Sequence, residues 1–170
     1  MSASRERATT LPLAVVGCDF RTAPSSARSR LVLEAGDREA LARDLAASAS
    51  VDGFIDLVTC NRVEWVVSCP QPSWAAEILR AQMLERLASP GADRPAEPYA
   101  FVGEEAARHV FSVSIGQKSF VVGERQIASQ LFRALEDARS RGTSSRLLNG
   151  LGSISGRLVR DATREGWIGG

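Results

Sequence analysis

Cys60 is the residue of this sequence best suited to chemistry, because polar side chains surround it in the segment 58–64, Val-Thr-Cys-Asn-Arg-Val-Glu. The segment follows an apolar, strand-like run, and the turn after a strand exposes a thiol. Arg62 adds a positive charge that favours the thiolate, the nucleophilic form of cysteine. Thr59 and Asn61 supply groups that can donate hydrogen bonds. The pattern indicates a catalytic nucleophile, and the alternative is a cysteine that is simply small and buried.

The other cysteines and the single histidine are less informative. Cys18 and Cys69 each end a strand-like run without a polar cluster, which is typical of buried packing residues. His109 is the only imidazole that can act as a general acid or base near neutral pH. It lies in a helical segment, where packing is the competing interpretation, and no spacing places it near Cys60. Because these residues lack metal-ligand spacing, we predict no metal site.

A third polar stretch covers residues 114–127, where glycines bracket a mixed loop before a predicted helix. The loop contains Ser119, Glu124 and Gln126, and glycine-bounded loops of this kind can line a binding pocket. The alternative is an ordinary connection between two helices. By itself the loop therefore leaves both interpretations open.

The composition excludes several classes of protein. The chain has 170 residues, of which 44% are hydrophobic and 24% charged, and these values are ordinary for one globular domain. No apolar run approaches the roughly 18 residues of a membrane-spanning helix, and the mixed-charge N-terminus does not resemble a signal peptide. We therefore expect a cytoplasmic protein with reduced thiols and no membrane association.

Positive charge is concentrated near the C-terminus. The formal net charge is +1, yet residues 133–170 contain seven arginines against four acidic residues. Lys118 is the only lysine, and the planar guanidinium of arginine is the better phosphate ligand. This bias is weak evidence for RNA binding, because a solvated helical face or a GC-rich genome gives the same composition.

Hydrophobic periodicity predicts strands mixed with helices up to residue 102 and helices alone afterwards. The predicted strands cover 13–18, 54–60, 63–68 and 99–102, and the predicted helices cover 37–48, 73–87, 104–114, 124–141 and 144–164. The order strand, helix, strand, strand, helix, strand fits a split βαβ arrangement. We therefore predict an α+β fold, a ferredoxin-like sandwich followed by C-terminal helices. The predicted divisions are a flexible N-terminus at 1–10, a catalytic domain at 11–142 and a helical extension at 143–170.

Three ordered motifs resemble those of a known family. Residues 17–24 read Gly-Cys-Asp-Phe-Arg-Thr-Ala-Pro, residues 58–64 contain Thr-Cys-Asn-Arg, and residues 108–111 read Arg-His-Val-Phe before the loop at 116–127. In order and spacing these segments resemble the N-terminal catalytic domain of glutamyl-tRNA reductase, over nearly the whole chain. The resemblance implies that Cys60 attacks the ester that links glutamate to its tRNA.

By the same resemblance the product of this attack is a thioester, and His109 assists as a second catalytic residue. The partner is an aminoacyl-tRNA, expected to be tRNA-Glu. The predicted substrate-binding residues are Thr59, Asn61, Arg62, Ser119, Glu124 and Gln126.

The sequence also departs from the family pattern. Lys118 replaces an acid next to the pocket, Arg125 replaces the usual proline, and Asp-Phe at 19–20 replaces Asn-His. No Gly-rich dinucleotide fingerprint is present in these 170 residues. We therefore predict no cofactor in this chain, and NADPH only if a further domain or partner supplies it.

Three interpretations of the function follow. The first, which the sequence favours narrowly, is an enzyme that passes the aminoacyl group from Cys60 to another acceptor, such as an amine in natural product biosynthesis. The second is the catalytic domain or a subunit of an NADPH-dependent reductase that makes glutamate 1-semialdehyde for tetrapyrrole biosynthesis. The third is a non-catalytic tRNA-binding module. The identity of the acceptor and the oligomeric state stay open.

Overall fold

A computed structural model describes residues 10–88, 96–118 and 126–168. The strands within these ranges are β1 (Leu13–Asp19), β2 (Gly53–Val58), β3 (Arg62–Ser68) and β4 (Tyr99–Val102). The α-helices are α1 (Ser25–Arg28), α2 (Ala35–Ala49), α3 (Pro72–Leu87), α4 (Glu104–Ser114), α5 (Gln126–Ser140) and α6 (Arg146–Arg164). A short 3₁₀ helix, Ser29–Leu31, follows α1.

The four strands form one sheet in the order β2-β3-β1-β4, and every neighbouring pair is antiparallel. This order places β3 between β1 and β2, which are joined through α1 and α2. It likewise places β1 between β3 and β4, which are joined through α3. Such interleaving is the split βαβ topology, so the predicted ferredoxin-like α+β fold is confirmed.

Helices cover both faces of the sheet. Along β1, Ala14, Val16 and Cys18 pack towards α2 and α3, whereas Leu13 and Val15 pack towards α4, α5 and α6. All residues of β1 and β3 are therefore buried, and in β3 these include the charged residues Arg62 and Glu64.

The last helix belongs to this second layer. Leu148 and Leu151 of α6 share a hydrophobic core with α4, α5 and the sheet. The division predicted between residues 142 and 143 falls in the connection between α5 and α6. Of the segment predicted to be flexible, residues 1–9 lie outside the described part of the chain.

The structure differs from the sequence-based expectation at the β2–β3 hairpin. We expected strands up to Cys60 and from Val63, with a loop of Asn61 and Arg62. Instead β2 ends at Val58, β3 begins at Arg62, and the Thr59 N–H donates to the Arg62 carbonyl at 2.9 Å. The turn therefore contains Cys60, and Arg62 belongs to the sheet.

Two helix predictions also need correction. Helix α2 was predicted to begin at residue 37, but it begins at Ala35, and Asp37 lies in its first turn, where a negative charge is favourable. Helix α1 was not predicted, because four residues are too few to show a helical period. The predicted start of α5 at 124 lies outside the described residues.

Close packing of α6 on α5 depends on Gly152. A Cβ atom there would lie 2.7 Å from Cδ1 of the buried Leu135, whereas a Cβ at Gly150 would meet no atom within 4 Å. The two glycines thus lie in one helix, two residues apart, in opposite environments.

These environments lead us to expect opposite effects of alanine on stability. Gly150→Ala should raise the free energy of unfolding by about 0.5–1 kcal/mol, because alanine has the better helix propensity. Gly152→Ala gains the same propensity but must displace Leu135, so it should be at least about 1 kcal/mol less stable than Gly150→Ala. Urea unfolding measures both variants, and equal stabilities would contradict the packing described for Gly152.

Candidate active site at the β2–β3 turn

Cys60 is exposed in the turn between β2 and β3. The side-chain oxygen of Thr59 accepts hydrogen bonds from the backbone N–H groups of Asn61 at 3.1 Å and Arg62 at 3.0 Å. A threonine hydroxyl that satisfies two following N–H groups defines a tight turn. The local sequence therefore folds so that the thiol points out of a closed backbone loop.

Two further contacts hold this turn from outside the hairpin. The buried Arg28 donates from Nη2 to the carbonyl of Cys60 at 2.9 Å and from Nη1 to the carbonyl of Ala23 at 2.7 Å. The N–H of Phe20 donates to the carbonyl of Asn61 at 2.9 Å. The backbone next to the thiol is thus fixed before any substrate arrives, which lowers the entropic cost of reaction.

Arg62 lies behind the turn with its side chain fully buried. Its Nη1 donates to Glu64 Oε1 at 2.8 Å, and its Nη2 donates to the backbone carbonyl of Lys118. The sequence suggested that this guanidinium acts near the thiol or on the substrate. In the structure both terminal nitrogens bind protein groups, and one of them fixes the start of the predicted pocket loop.

Glu64 is the centre of a buried polar cluster. Its Oε1 accepts hydrogen bonds from Arg62, from the Tyr99 hydroxyl at 2.5 Å and from His109 Nε2 at 2.7 Å. Burial raises the pKa of Glu64, but the hydrogen bond and charge of His109 and the charge of Arg62 outweigh it and lower the pKa to about 2. The cluster therefore contains a carboxylate at neutral pH.

This carboxylate determines the tautomer of His109. An ionised carboxylate only accepts hydrogen bonds, so Nε2 must carry the hydrogen, and Nδ1 is the nitrogen left to bind or release a proton. The imidazole stacks on Phe101, with ring centroids 4.5 Å apart, and is buried. Burial and the nearby charge of Glu64 raise the pKa of Tyr99, so its hydroxyl stays a donor. The Tyr99 ring also lies close to the imidazole, with centroids 5.4 Å apart, so Glu64, Phe101 and Tyr99 all orient His109.

Gly17 provides the space that the cluster needs. It lies in register with Glu64 on one neighbouring strand and Tyr99 on the other. A Cβ atom at Gly17 would lie 2.6 Å from Cγ of Glu64 and 2.7 Å from the carbonyl oxygen of Val63. Any side chain here would push the carboxylate away from its partners.

Asp19, two residues along the same strand, pairs in register with Arg62. Its Oδ2 accepts from Arg21 Nη2 at 2.6 Å, and its Oδ1 accepts from the Arg21 N–H at 2.9 Å. Burial raises the pKa of Asp19, but these bonds and the charges of Arg21 and Arg62 lower it overall. The three motifs of the sequence, 17–24, 58–64 and the one containing His109, therefore meet at one end of the sheet.

The other predicted site residues and cysteines differ in whether they are described, exposed or buried. Ser119 and Glu124 lie outside the described residues, and Gln126 is the exposed first residue of α5. Cys18 and Cys69 are buried, and burial raises the pKa of the Cys18 thiol to about 11 and also raises that of Cys69. Neither thiol suits a nucleophile at neutral pH.

Sequence reasoning missed four residues of the site, namely Gly17, Arg28, Glu64 and Tyr99. A usable signal existed for Glu64, because residues two apart on a strand share a face and Arg62 precedes it at that spacing. No comparable signal existed for Arg28 or Tyr99, whose partners are distant in sequence.

The family model described as the N-terminal domain of glutamyl-tRNAGlu reductase matches residues 16–163. The chain belongs to this family. Glutamyl-tRNA reductase of Moorella thermoacetica is 33% identical over 152 residues, which cover 87% of this chain and 34% of the relative. That of Deinococcus radiodurans is 34% identical over 159 residues, which cover 90% of this chain and 42% of the relative.

A solved structure agrees with the sequence relatives. Glutamyl-tRNA reductase from Methanopyrus kandleri superimposes with a TM-score of 0.69 at 27% identity, over 91% of this chain and 35% of that one. The chain therefore spans about a third to two fifths of the length of the proteins it matches. None of its described helices is long and apolar enough to cross a membrane.

The buried cluster around Glu64 leads us to expect that Glu64→Gln lowers stability strongly. Glutamine keeps the shape of the side chain but leaves the buried guanidinium of Arg62 without its counter-charge. The free energy of unfolding should fall by roughly 3–5 kcal/mol at pH 7, measured by urea denaturation. Glu104→Gln is the matched control, since Glu104 makes an exposed pair with Arg108 at 3.3 Å and its loss should cost less than about 1 kcal/mol.

The difference in the free energy of unfolding between wild type and Glu64→Gln should depend on pH. The folded pKa of Glu64, about 2, lies below its ordinary value of 4.5, so the unfolded chain is protonated first as the pH falls. The stabilisation is complete above about pH 4.5 and is lost between about pH 4.5 and 2. The stability difference between wild type and Glu64→Gln should narrow in that window. A difference independent of pH would mean that charge is not the reason for it.

Proposed function

We propose that this domain takes the glutamyl group from glutamyl-tRNA and holds it on Cys60 as a thioester. The observation that carries the proposal is an exposed thiol on a turn fixed by Thr59 and Arg28, two residues before Arg62, which belongs to a buried cluster with Glu64 and His109. Membership in the glutamyl-tRNA reductase N-terminal domain family supports the choice of substrate. The activity of the whole relatives extends beyond this step.

The proposed step is an exchange of an ester for a thioester. The sulfur of Cys60 attacks the carbonyl carbon that joins glutamate to the terminal ribose, and a C–S bond replaces the ribose C–O bond. Cys60 gives up its thiol proton when it becomes a thiolate. The ribose oxygen that leaves then takes up one proton, so the number of protons is unchanged. No oxidant or reductant is consumed, so the step needs only a nucleophile and a route for that proton.

We assign this proton movement to His109. Its Nε2 is fixed on Glu64, in the way that a carboxylate orients the histidine of a nucleophile–histidine–acid triad, and Nδ1 remains to exchange the proton. Tyr99 supports the arrangement indirectly, because its hydroxyl bonds the same carboxylate oxygen. Cys60 is the catalytic residue that forms the bond, and Glu64 and Tyr99 are positioning residues.

The thioester then has two chemical fates. Hydride from NADPH would reduce it to an aldehyde, which is the reaction class in the names of the relatives and would give glutamate 1-semialdehyde, a tetrapyrrole precursor. An amine acceptor would instead take the acyl group without reduction. The sequence of these 170 residues has no dinucleotide fingerprint, so reduction requires a nicotinamide held by another unit.

Cys60→Ala should abolish the acyl-enzyme because it removes the sulfur, while tRNA binding stays nearly intact because one methyl-sized change contributes little to docking. Incubation with glutamyl-tRNA followed by intact-protein mass spectrometry measures the adduct. Wild type should carry one glutamyl group that neutral hydroxylamine removes, as expected for a thioester. Cys69→Ala, a buried cysteine, is the control and should keep the adduct.

Two results would overturn this assignment. Adduct formation by Cys60→Ala would place the acyl group on another residue. Binding of glutamyl-tRNA by wild type without any adduct would favour a non-catalytic tRNA-binding module. Addition of NADPH or of a small amine to the isolated adduct then identifies the fate, from the aldehyde or the amide that is released.

His109→Ala should slow single-turnover acylation by about 10²-fold to 10⁴-fold, the usual contribution of a general acid or base. Tyr99→Phe keeps the ring and removes only the hydroxyl, so it should slow the same step to a smaller extent by loosening Glu64. Rapid-quench measurements at saturating glutamyl-tRNA give the rate, and the dissociation constant for tRNA should change little. An unchanged rate in His109→Ala would reassign this residue to packing.

A further inference from the structure

Four arginines, Arg146, Arg157, Arg160 and Arg164, are exposed on α6 and form what we call the arginine stripe. We propose that this stripe is a binding surface for the sugar-phosphate backbone of tRNA, an inference that rests on the proposed aminoacyl-tRNA substrate. At about 100° per residue, the four positions fall within about 60° of arc on the side of α6 opposite its buried residues. Asp161, the only acid of the helix, pairs with Arg164 at 3.1 Å.

A groove between α5 and α6 lies beside the middle of the stripe. Its volume is about 550 Å³, and its lining includes Phe132, Gly156, Arg157 and Arg160. A Cβ atom at Gly156 would lie 3.5 Å from Nη1 of Arg160 and 3.8 Å from Cζ of Phe132, so a guanidinium and an aromatic ring flank bare helix backbone.

This combination matches the chemistry of single-stranded and looped RNA. Guanidinium groups bind phosphate oxygens through paired N–H donors, and an aromatic ring provides a stacking surface for an unpaired base. The missing side chain at Gly156 lets a ligand approach the helix closely. None of the described residues that line the groove is acidic, so its electrostatic potential favours an anion.

The charges of the groove are also unbalanced. Within the described ranges of the chain, Arg157 and Arg160 have no carboxylate partner, whereas Arg139 on α5 pairs with Glu136 at 2.9 Å and Arg108 on α4 pairs with Glu104 at 3.3 Å. An exposed arginine already paired with a carboxylate gains little from a phosphate. Arg157 and Arg160 can gain the full electrostatic interaction with phosphate groups. Their binding to RNA would release counterions from the RNA without breaking an ion pair in the protein.

The stripe extends towards the candidate active site. Gly152 faces Leu135 and Gly156 faces Phe132, so α6 runs antiparallel to α5. Arg157 to Arg164 therefore lie beside the first half of α5. The opposite end of α6 lies at the start of β2, because Ser145, just before α6, lies against Gly53, and β2 runs from there to the turn that contains Cys60. At 1.5 Å per residue the stripe is about 27 Å long. A tRNA whose aminoacyl end reaches Cys60 could therefore continue along α6.

The test measures binding of uncharged tRNA-Glu over a range of salt concentrations. The double variant Arg157→Glu/Arg160→Glu should bind at least about tenfold more weakly at low salt. The slope of log affinity against log salt should become shallower by about one for each phosphate group that the variant no longer binds. Arg43→Glu, an exposed arginine of α2 on the other face of the sheet, is the control and should change the affinity less than about threefold.

A second variant pair separates shape from charge. Gly156→Leu should fill the groove without altering net charge, so it should weaken tRNA binding. Gly36→Leu places the same side chain at an open position of α2, on the other face of the sheet, and should not. Circular dichroism confirms folding of each variant before binding is measured.

The outcomes for the stripe and for Cys60 are distinguishable. Equal tRNA binding by wild type, the double arginine variant and Gly156→Leu would overturn the stripe, as would wild type that binds no tRNA. The proposed function is tested separately in wild type with the glutamyl ester of adenosine, which has no RNA backbone. Salt-sensitive tRNA binding through the stripe without acylation of Cys60 would support the stripe and reject the thioester.

Discussion

The organisation of the site depends on one buried carboxylate, that of Glu64. A charge inside a protein is tolerated only where other groups replace the water it has lost, and here Arg62, Tyr99 and His109 all bond a single oxygen. These partners come from β3, β4 and α4, so the carboxylate joins the edge of the sheet to the helical layer above it. The same contacts hold the histidine in one orientation.

The side chain of Glu64 needs space within the sheet. This need explains the glycine at position 17, which hydrophobic packing alone would not require. Gly17 lies between Glu64 and Tyr99 in the register of the sheet, and its missing side chain leaves room for the carboxylate. Arg62 spans the cluster and bonds the carbonyl of Lys118, so the described segment after α4 is tied to the same group of residues. Three hydrogen bonds to Glu64 Oε1 fix this arrangement, while Glu64 Oε2 and Arg62 Nε are buried without a partner among the described residues.

The two helical layers have different relations to this site. Helices α2 and α3 cover the opposite face of the sheet, whereas α4 supplies His109 and α5 and α6 form the rest of the layer on the same face. Helix α6 buries one side in the core and exposes arginines on the other, so a single amphipathic helix both completes the fold and presents a basic surface. Gly152 brings the two last helices close together, and Gly156 leaves an opening between them.

The sequence by itself determined the elements, their order and the identity of the exposed thiol. Period-two and period-3.6 patterns are local, so β1, β4 and the long helices were predicted to within a few residues, and the three motifs indicated the family. The sequence did not reveal that Thr59 closes the hairpin turn or that Glu64 holds His109. The Thr59 contacts are local and join residues two and three positions apart, whereas Glu64 and His109 are 45 positions apart. Only the tertiary structure decided the bond between Glu64 and His109, because such distant residues meet once the sheet order fixes which strands and helices are neighbours.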